Sequence, residues 1–100
     1  MQLLDKNISY IKRLCTKYKV AKLYLFGSVL TDKFNESSDV DIVVEFKSME
    51  HAEYVDYYYD FKSRLEKHLK RKVDLLEGQA IKNPFLKREI DSTKQLIYGQ

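Results

Sequence analysis

Three aspartates and one Gly-Ser pair are the residues of this chain whose types and spacing could do chemistry. Asp39 and Asp41 alternate with apolar residues in Asp39–Phe46 (DVDIVVEF). Val40, Ile42, Val44 and Phe46 therefore share one face of a strand and the two carboxylates share the other. Two carboxylates so placed repel each other unless a cation sits between them, and hard oxygen ligands suit Mg²⁺. Asp74 stands in a second apolar run, Val73-Asp74-Leu75-Leu76, where a charge is costly unless it meets water, a partner or a cation. If the two runs pair, Asp74 joins Asp39 and Asp41 on one surface, and three carboxylates could hold two divalent ions about 3.5–4 Å apart. Gly27-Ser28 closes the run Val20–Phe26 (VAKLYLF), a turn able to bring backbone N–H groups close to an anion. A phosphate-holding turn beside metal-holding carboxylates is the minimum equipment for phosphoryl or nucleotidyl transfer.

These residues need elements to position them. Leu4, Ile8, Ile11, Cys15 and Tyr18 recur at helical spacing and predict an amphipathic helix over residues 3–18. A strand follows over 20–26, then a short helical turn over Val29–Phe34 whose free N–H groups could meet phosphate. Asn35–Ser38 reads as a polar loop, and the second strand spans 39–46. Residues 49–71 form the longest helical pattern, with Ala52, Val55, Tyr58, Phe61 or Lys62, Leu65 and Leu69 on one face. Lys72–Glu77 is the third strand, ended by Gly78. Pro84 opens a short helix over 84–92, and Gln95–Tyr98 reads as a small edge strand. The expected fold class is α/β (α+β): a mixed sheet of three to four strands with helices packed on one face. Val40, Ile42 and Val44 would then face the helices, and the Asp39/Asp41 face would look toward solvent or a substrate.

Length and composition bound the rest. One hundred residues support a single domain, 1–100, with a core large enough to fold alone. The net charge of +3, from 18 basic and 15 acidic residues spread along the chain, is too mild to imply nucleic-acid binding. Cys15 is the single cysteine, which excludes an internal disulfide and a cysteine-based metal site; on the apolar stripe of its helix it reads as buried packing. No apolar stretch approaches the ~18 residues needed to cross a bilayer, and the N-terminus has no signal-peptide pattern. A cytoplasmic location is the expectation.

The stretch LYLFGSVLTDKFNESSDVDIVVEF, with KVDLLEG downstream, resembles the minimal nucleotidyltransferases of the DNA polymerase beta-like superfamily. Their pattern is Gly-Ser, a spacer, Asp-x-Asp, and a later strand carrying a third Asp. The resemblance covers essentially the whole chain and implies a polymerase beta-like fold. It implies that Gly27 and Ser28 bind the β- and γ-phosphates of ATP. It implies that Asp39, Asp41 and Asp74 are the catalytic and metal-ligating residues, with two Mg²⁺ ions. The activity implied is transfer of AMP to a hydroxyl, a tyrosine of an all-helical HEPN-type partner protein, as the antitoxin of a toxin–antitoxin pair. Two other functions stay open: a catalytically weak or inactive antitoxin or scaffold subunit that acts by binding alone, and a transferase for a small molecule such as an antibiotic. One departure bears on the choice. Where the family shows a small residue, Arg and Gly, this chain has Leu30, Thr31 and Asp32. An Arg near the phosphates is thus replaced, a negative charge is added, and Lys33 is the nearby cation that could compensate.

The remaining polar and aromatic residues have simpler readings. Ser38 reads as a turn residue. Glu45 continues the Asp39/Asp41 face but lies ~13 Å along the strand, outside the carboxylate centre. His51 and His68 read as exposed helix residues. Of the tyrosine cluster Tyr54, Tyr57, Tyr58 and Tyr59, Tyr58 falls on the buried stripe, and Tyr54 and Tyr57 are the candidates for a partner surface or self-association. Lys67–Lys72 (KHLKRK) reads as a solvated helix end.

Overall fold

The computed structural model describes residues 2–30 and 38–99. Its elements in chain order are α1 (Gln2–Lys17), β1 (Val20–Phe26), β2 (Val40–Phe46), α2 (His51–Leu69), β3 (Val73–Glu77), α3 (Pro84–Thr93) and β4 (Gln95–Tyr98). Short 3₁₀ turns at Gly27–Leu30 and Gly78–Ala80 follow β1 and β3. The first of these turns begins earlier than the expected one over 29–34; Thr31, Asp32, Lys33 and all of the expected loop over 35–38 except Ser38 lie outside the described residues.

The four strands form one mixed sheet in the order β3-β2-β1-β4. β1 pairs antiparallel with β2 and with β4, and β2 pairs parallel with β3. That parallel pair follows from α2. A parallel connection must cross over the sheet, and the 19-residue helix between the two strands is that crossover.

One face of the sheet carries the core. Leu23, Leu25, Val40, Ile42, Val44, Val73 and Leu75 pack against Ile11, Leu14 and Cys15 of α1, Tyr18, and Phe61, Leu65 and Leu69 of α2. Val20 joins them because the β1/β2 register shifts between Val20 and Lys22, turning a third β1 residue inward. α1 and α2 thus cover one face, as the alternation of Val40, Ile42 and Val44 requires. On the opposite face lie Tyr24, Asp41, Val43 and Asp74. Lys94, the C-cap of α3, places its ammonium 4.2 Å from the Tyr24 ring centre. Ile90 is the one buried residue of α3 and lies apart from the main cluster.

Two tyrosine readings need correction. Tyr54 and Tyr57 are half-buried instead of forming a free surface. Tyr54 meets the Phe46 ring edge-on at 5.5 Å, and Tyr57 meets Tyr18 edge-on at 5.5 Å. Ala52, expected on the buried stripe, is exposed. The outward tyrosine is Tyr59, 65% exposed. His51 and His68 are exposed, and His68 stacks on Tyr10 with ring centres 3.6 Å apart.

Candidate active site

The site is built where β2 and β3 begin. α2 ends on Lys70, whose backbone is left-handed (φ 56°) and whose N–H returns to the Glu66 carbonyl. The Glu66 side chain then accepts from the Val73 N–H at 2.9 Å, which sets the start of β3. Two further bonds tie that start to β2: Val40 N–H donates to the Lys72 carbonyl at 3.0 Å, and the Arg71 guanidinium donates to the Ser38 carbonyl at 3.1 Å. Sequence reasoning read Lys67–Lys72 as a solvated helix end and missed the Arg71 contact, because its partner lies 33 residues away in the chain.

This anchoring fixes the register. Val40 pairs with Val73 and Asp41 with Asp74. Paired residues on neighbouring strands project to the same side about 4.8 Å apart, so the two carboxyl-bearing positions are immediate neighbours. Val40 and Val73, one step earlier, are both buried on the helix-covered face; Asp41 and Asp74 therefore point to the other. Asp74 is exposed and Asp41 half-buried. Asp39 is exposed and sits one residue before β2, closer to the chain's entry than expected. Glu45 lies toward the far end of β2, against Gly78, which keeps it away from this end of the strand.

Gly27 completes the constellation. It follows Phe26, the register partner of Asp41, and its φ of +77° is the left-handed conformation that glycine adopts without penalty. A Cβ built there would collide with an Asp41 carboxylate oxygen and lie 3.2 Å from its Cγ. Glycine is thus required twice, by its backbone angle and by the carboxylate packed on it. The 3₁₀ turn that opens at Gly27 leaves its first N–H groups without partners inside the turn. The Ser28 side chain lies outside the described part of the structure.

The donor set suits a divalent cation: hard carboxylate oxygens from two adjacent strands, with Asp39 two residues from Asp41. Among the described residues no three His, Cys, Asp or Glu side chains are already gathered as a cation cage. Carboxylates sharing an exposed face separate under their own repulsion, and a cation is what would draw them together.

Residues 8–97 match the nucleotidyltransferase domain family. The chain belongs to that family. Among its relatives is a Methanocaldococcus jannaschii chain named "Putative protein adenylyltransferase MJ1379", 40% identical over 87 residues, covering 87% of this chain and 84% of the relative. Among solved structures, "Structure of putative minimal nucleotidyltransferase" superposes with a TM-score of 0.78 at 22% identity, covering 94% of this chain and 92% of that one. The fold is therefore that of the minimal polymerase beta-like nucleotidyltransferases. The MNT antitoxin solved in complex with the tri-AMPylated HEPN toxin of Shewanella oneidensis gives a TM-score of 0.68 at 22% identity, over all of this chain and 74% of that one. At that identity the likeness concerns the fold alone. Among the described residues of this nucleotidyltransferase, no helix is long and apolar enough to cross a membrane.

Proposed function

We propose that this nucleotidyltransferase is a Mg²⁺-dependent protein adenylyltransferase that moves AMP from ATP to a tyrosine hydroxyl of an all-helical HEPN-type partner, as the antitoxin of that pair. The observation that carries the chemistry is the register pairing of Asp41 with Asp74 beside Gly27. The acceptor class is supported by the name of the archaeal relative and by the AMPylated toxin held by the Shewanella antitoxin.

In this reading Asp39, Asp41 and Asp74 would hold Mg²⁺, two ions in all. When bound, the cation supplies Lewis-acid polarisation of phosphate oxygens. The turn at Gly27 and Ser28 donates backbone N–H groups to the triphosphate and keeps that charge beside the carboxylates. In the same reading Asp74, the more exposed of the paired residues, activates the incoming hydroxyl, either through the metal or as the base that accepts its proton. The hydroxyl oxygen bonds to the α-phosphorus as the bridging oxygen to the β-phosphorus departs, and pyrophosphate leaves. Gly27 positions Asp41 by leaving room for its carboxylate.

A second reading, an antitoxin that acts by binding alone, is favoured by Thr31 and Asp32 standing where the family shows Arg and Gly. One experiment separates the two. The protein is incubated with ATP labelled at the α-phosphate, Mg²⁺ and the HEPN-type protein encoded beside it. Label on the partner that disappears with Asp39→Ala/Asp41→Ala supports transfer. Inhibition of the partner that survives the double substitution without label supports binding alone.

A further inference from the structure

β3 is an edge strand of the described sheet, paired with β2 alone. It carries Asp74, whose register partner is Asp41. Like charges directly opposite each other on paired strands push those strands apart, and the sheet holds an edge strand from one side only. Along a strand, successive residues turn their backbone N–H and C=O groups to opposite edges. The Lys72 carbonyl accepts from the Val40 N–H at 3.0 Å, so Lys72 and, two residues on, Asp74 turn theirs toward β2. Val73 and Leu75 turn theirs to the open edge. Side chains of α2 meet both of them there. The Glu66 carboxylate accepts from the Val73 N–H at 2.9 Å, and the Tyr58 hydroxyl donates to the Leu75 carbonyl. Both side chains are half-buried. Asp74 is thus bracketed in the chain by two bonds from one helix. Burial first, then Tyr59 and the Asp74 carboxylate, push the Tyr58 phenol up, which agrees with a hydroxyl close to Asp74.

We propose that Tyr58 and Glu66 are positioning residues for the transfer reaction: they clasp the open edge of β3 and hold Asp74 beside Asp41 before a cation arrives. The inference rests on the reading of Asp74 as a Mg²⁺ ligand. Its physical basis is repulsion. With no cation between them, the two carboxylates favour separation, and β3 could give way by peeling from β2 or sliding along it. Either movement breaks the bonds to Glu66 and Tyr58. Folding of α2 onto the sheet therefore opposes the repulsion in advance, and the cation meets ligands already in place. A preorganised site binds more tightly than one assembled at the moment of binding. Both side chains act through the β3 backbone from the helix that covers the other sheet face. They do so by different chemistry, a carboxylate accepting from an N–H and a hydroxyl donating to a carbonyl, so each can be removed by itself.

The test compares Mn²⁺ binding, followed by electron paramagnetic resonance with a non-hydrolysable ATP analogue present, across a set of variants. Tyr58→Phe and Glu66→Ala should each weaken Mn²⁺ binding about fivefold, the equivalent of one net hydrogen bond. Glu66→Gln keeps an oxygen that can accept from the Val73 N–H and should stay within about twofold of wild type. Tyr18→Phe loses a hydroxyl bond of the same kind, to Asp60 and not to β3, and should bind Mn²⁺ as the wild type does. That control separates positioning from a plain loss of stability. Amide hydrogen exchange reads the clasp with no metal present: the Val73 N–H should exchange about tenfold faster in Glu66→Ala and at the wild-type rate in Glu66→Gln. Asp74→Asn tells the inference apart from the reading beneath it. Unchanged Mn²⁺ affinity in Asp74→Asn, or a wild-type protein that binds no Mn²⁺, overturns both. Weakened binding in Asp74→Asn beside wild-type affinity in either Tyr58→Phe or Glu66→Ala overturns the clasp alone. So does equal weakening by Tyr18→Phe, or a Val73 amide indifferent to Glu66→Ala.

Discussion

Alanine at Gly27 is the perturbation that most sharply couples backbone geometry to the site. The residue sits at φ +77°, where an L-residue pays about 1–2 kcal/mol. The new Cβ would also lie 3.2 Å from the Asp41 Cγ and 3.4 Å from its Cβ, and would strike the nearer carboxylate oxygen. The carboxylate must therefore rotate or the turn must shift. A loss of about 1–2 kcal/mol in a 100-residue domain corresponds to a fall in Tm of roughly 5–15 °C. If Asp41 ligates Mg²⁺ as proposed, displacing its oxygen by about 1 Å should cost far more in function, up to about a hundredfold. Gly99→Ala is the matched control: its φ is +92°, and its Cβ would strike the Ala21 carbonyl and approach the Lys22 Cα to 3.1 Å. That position adjoins the start of β1, away from the carboxylates. Thermal unfolding should show both variants destabilised. Calorimetric titration with a non-hydrolysable ATP analogue in Mg²⁺ should show at least about tenfold weaker binding for Gly27→Ala alone. Equal binding by the two variants at equal loss of stability would refute the idea that Gly27 makes room for Asp41.

Three further outcomes follow from individual contacts. Arg71→Ala removes the donor to the Ser38 carbonyl; about 1 kcal/mol of stability should go with it, read by urea unfolding, and nucleotide-analogue binding should weaken because Asp39 loses its anchored neighbour. The Tyr18 hydroxyl donates to the Asp60 carboxylate, and that bond, helped by Arg64, holds the Asp60 carboxyl below its ordinary range, while burial and the same carboxylate push the Tyr18 phenol up. The Asp60 contribution is present above the unfolded value of about 3.9 and is lost as pH falls through the lower folded one; the Tyr18 contribution is present below about 10 and is lost as pH rises beyond it. Tyr18→Phe should therefore flatten the stability profile at both ends, as measured by Tm from pH 2 to 11. Cys15 is fully buried, and burial pushes its thiol up to about 12. Its reaction with a disulfide reagent at pH 8 should wait on unfolding, and labelling of the folded protein within seconds would contradict the core described above.

Much of this architecture was legible because strong local patterns carried it. β1 and β4 have the bounds read from the sequence, Val20–Phe26 and Gln95–Tyr98, since alternation of apolar side chains marks a strand and Gly27 and Gly99 mark where it stops. The mixed sheet is read from helices alternating with strands; that β2 and β3 are neighbours and parallel is what the structure adds. Periodicity placed Phe61, Leu65 and Leu69 of α2 in the core but missed in the first half of the helix, where Ala52 is exposed and the tyrosines at 54, 57, 58 and 59 crowd several faces. Packing decided instead, with Phe46 and Tyr18 drawing Tyr54 and Tyr57 inward and leaving Tyr59 out. At the site, the three aspartates and Gly27 were identified by type and spacing. The contact between Gly27 and Asp41, the register that sets Asp41 beside Asp74, and the Arg71 tie to Ser38 are tertiary facts. No local pattern encodes them.

The central claim, that carboxylates from β2 and β3 act as one centre, is tested most directly by Mn²⁺ binding followed by electron paramagnetic resonance in the presence of a non-hydrolysable ATP analogue. Asp41→Asn and Asp74→Asn should each weaken Mn²⁺ binding by about tenfold or more, and the double substitution should cost clearly less than the sum of the two. Wild-type affinity in Asp74→Asn, or losses that simply add, would contradict a shared centre.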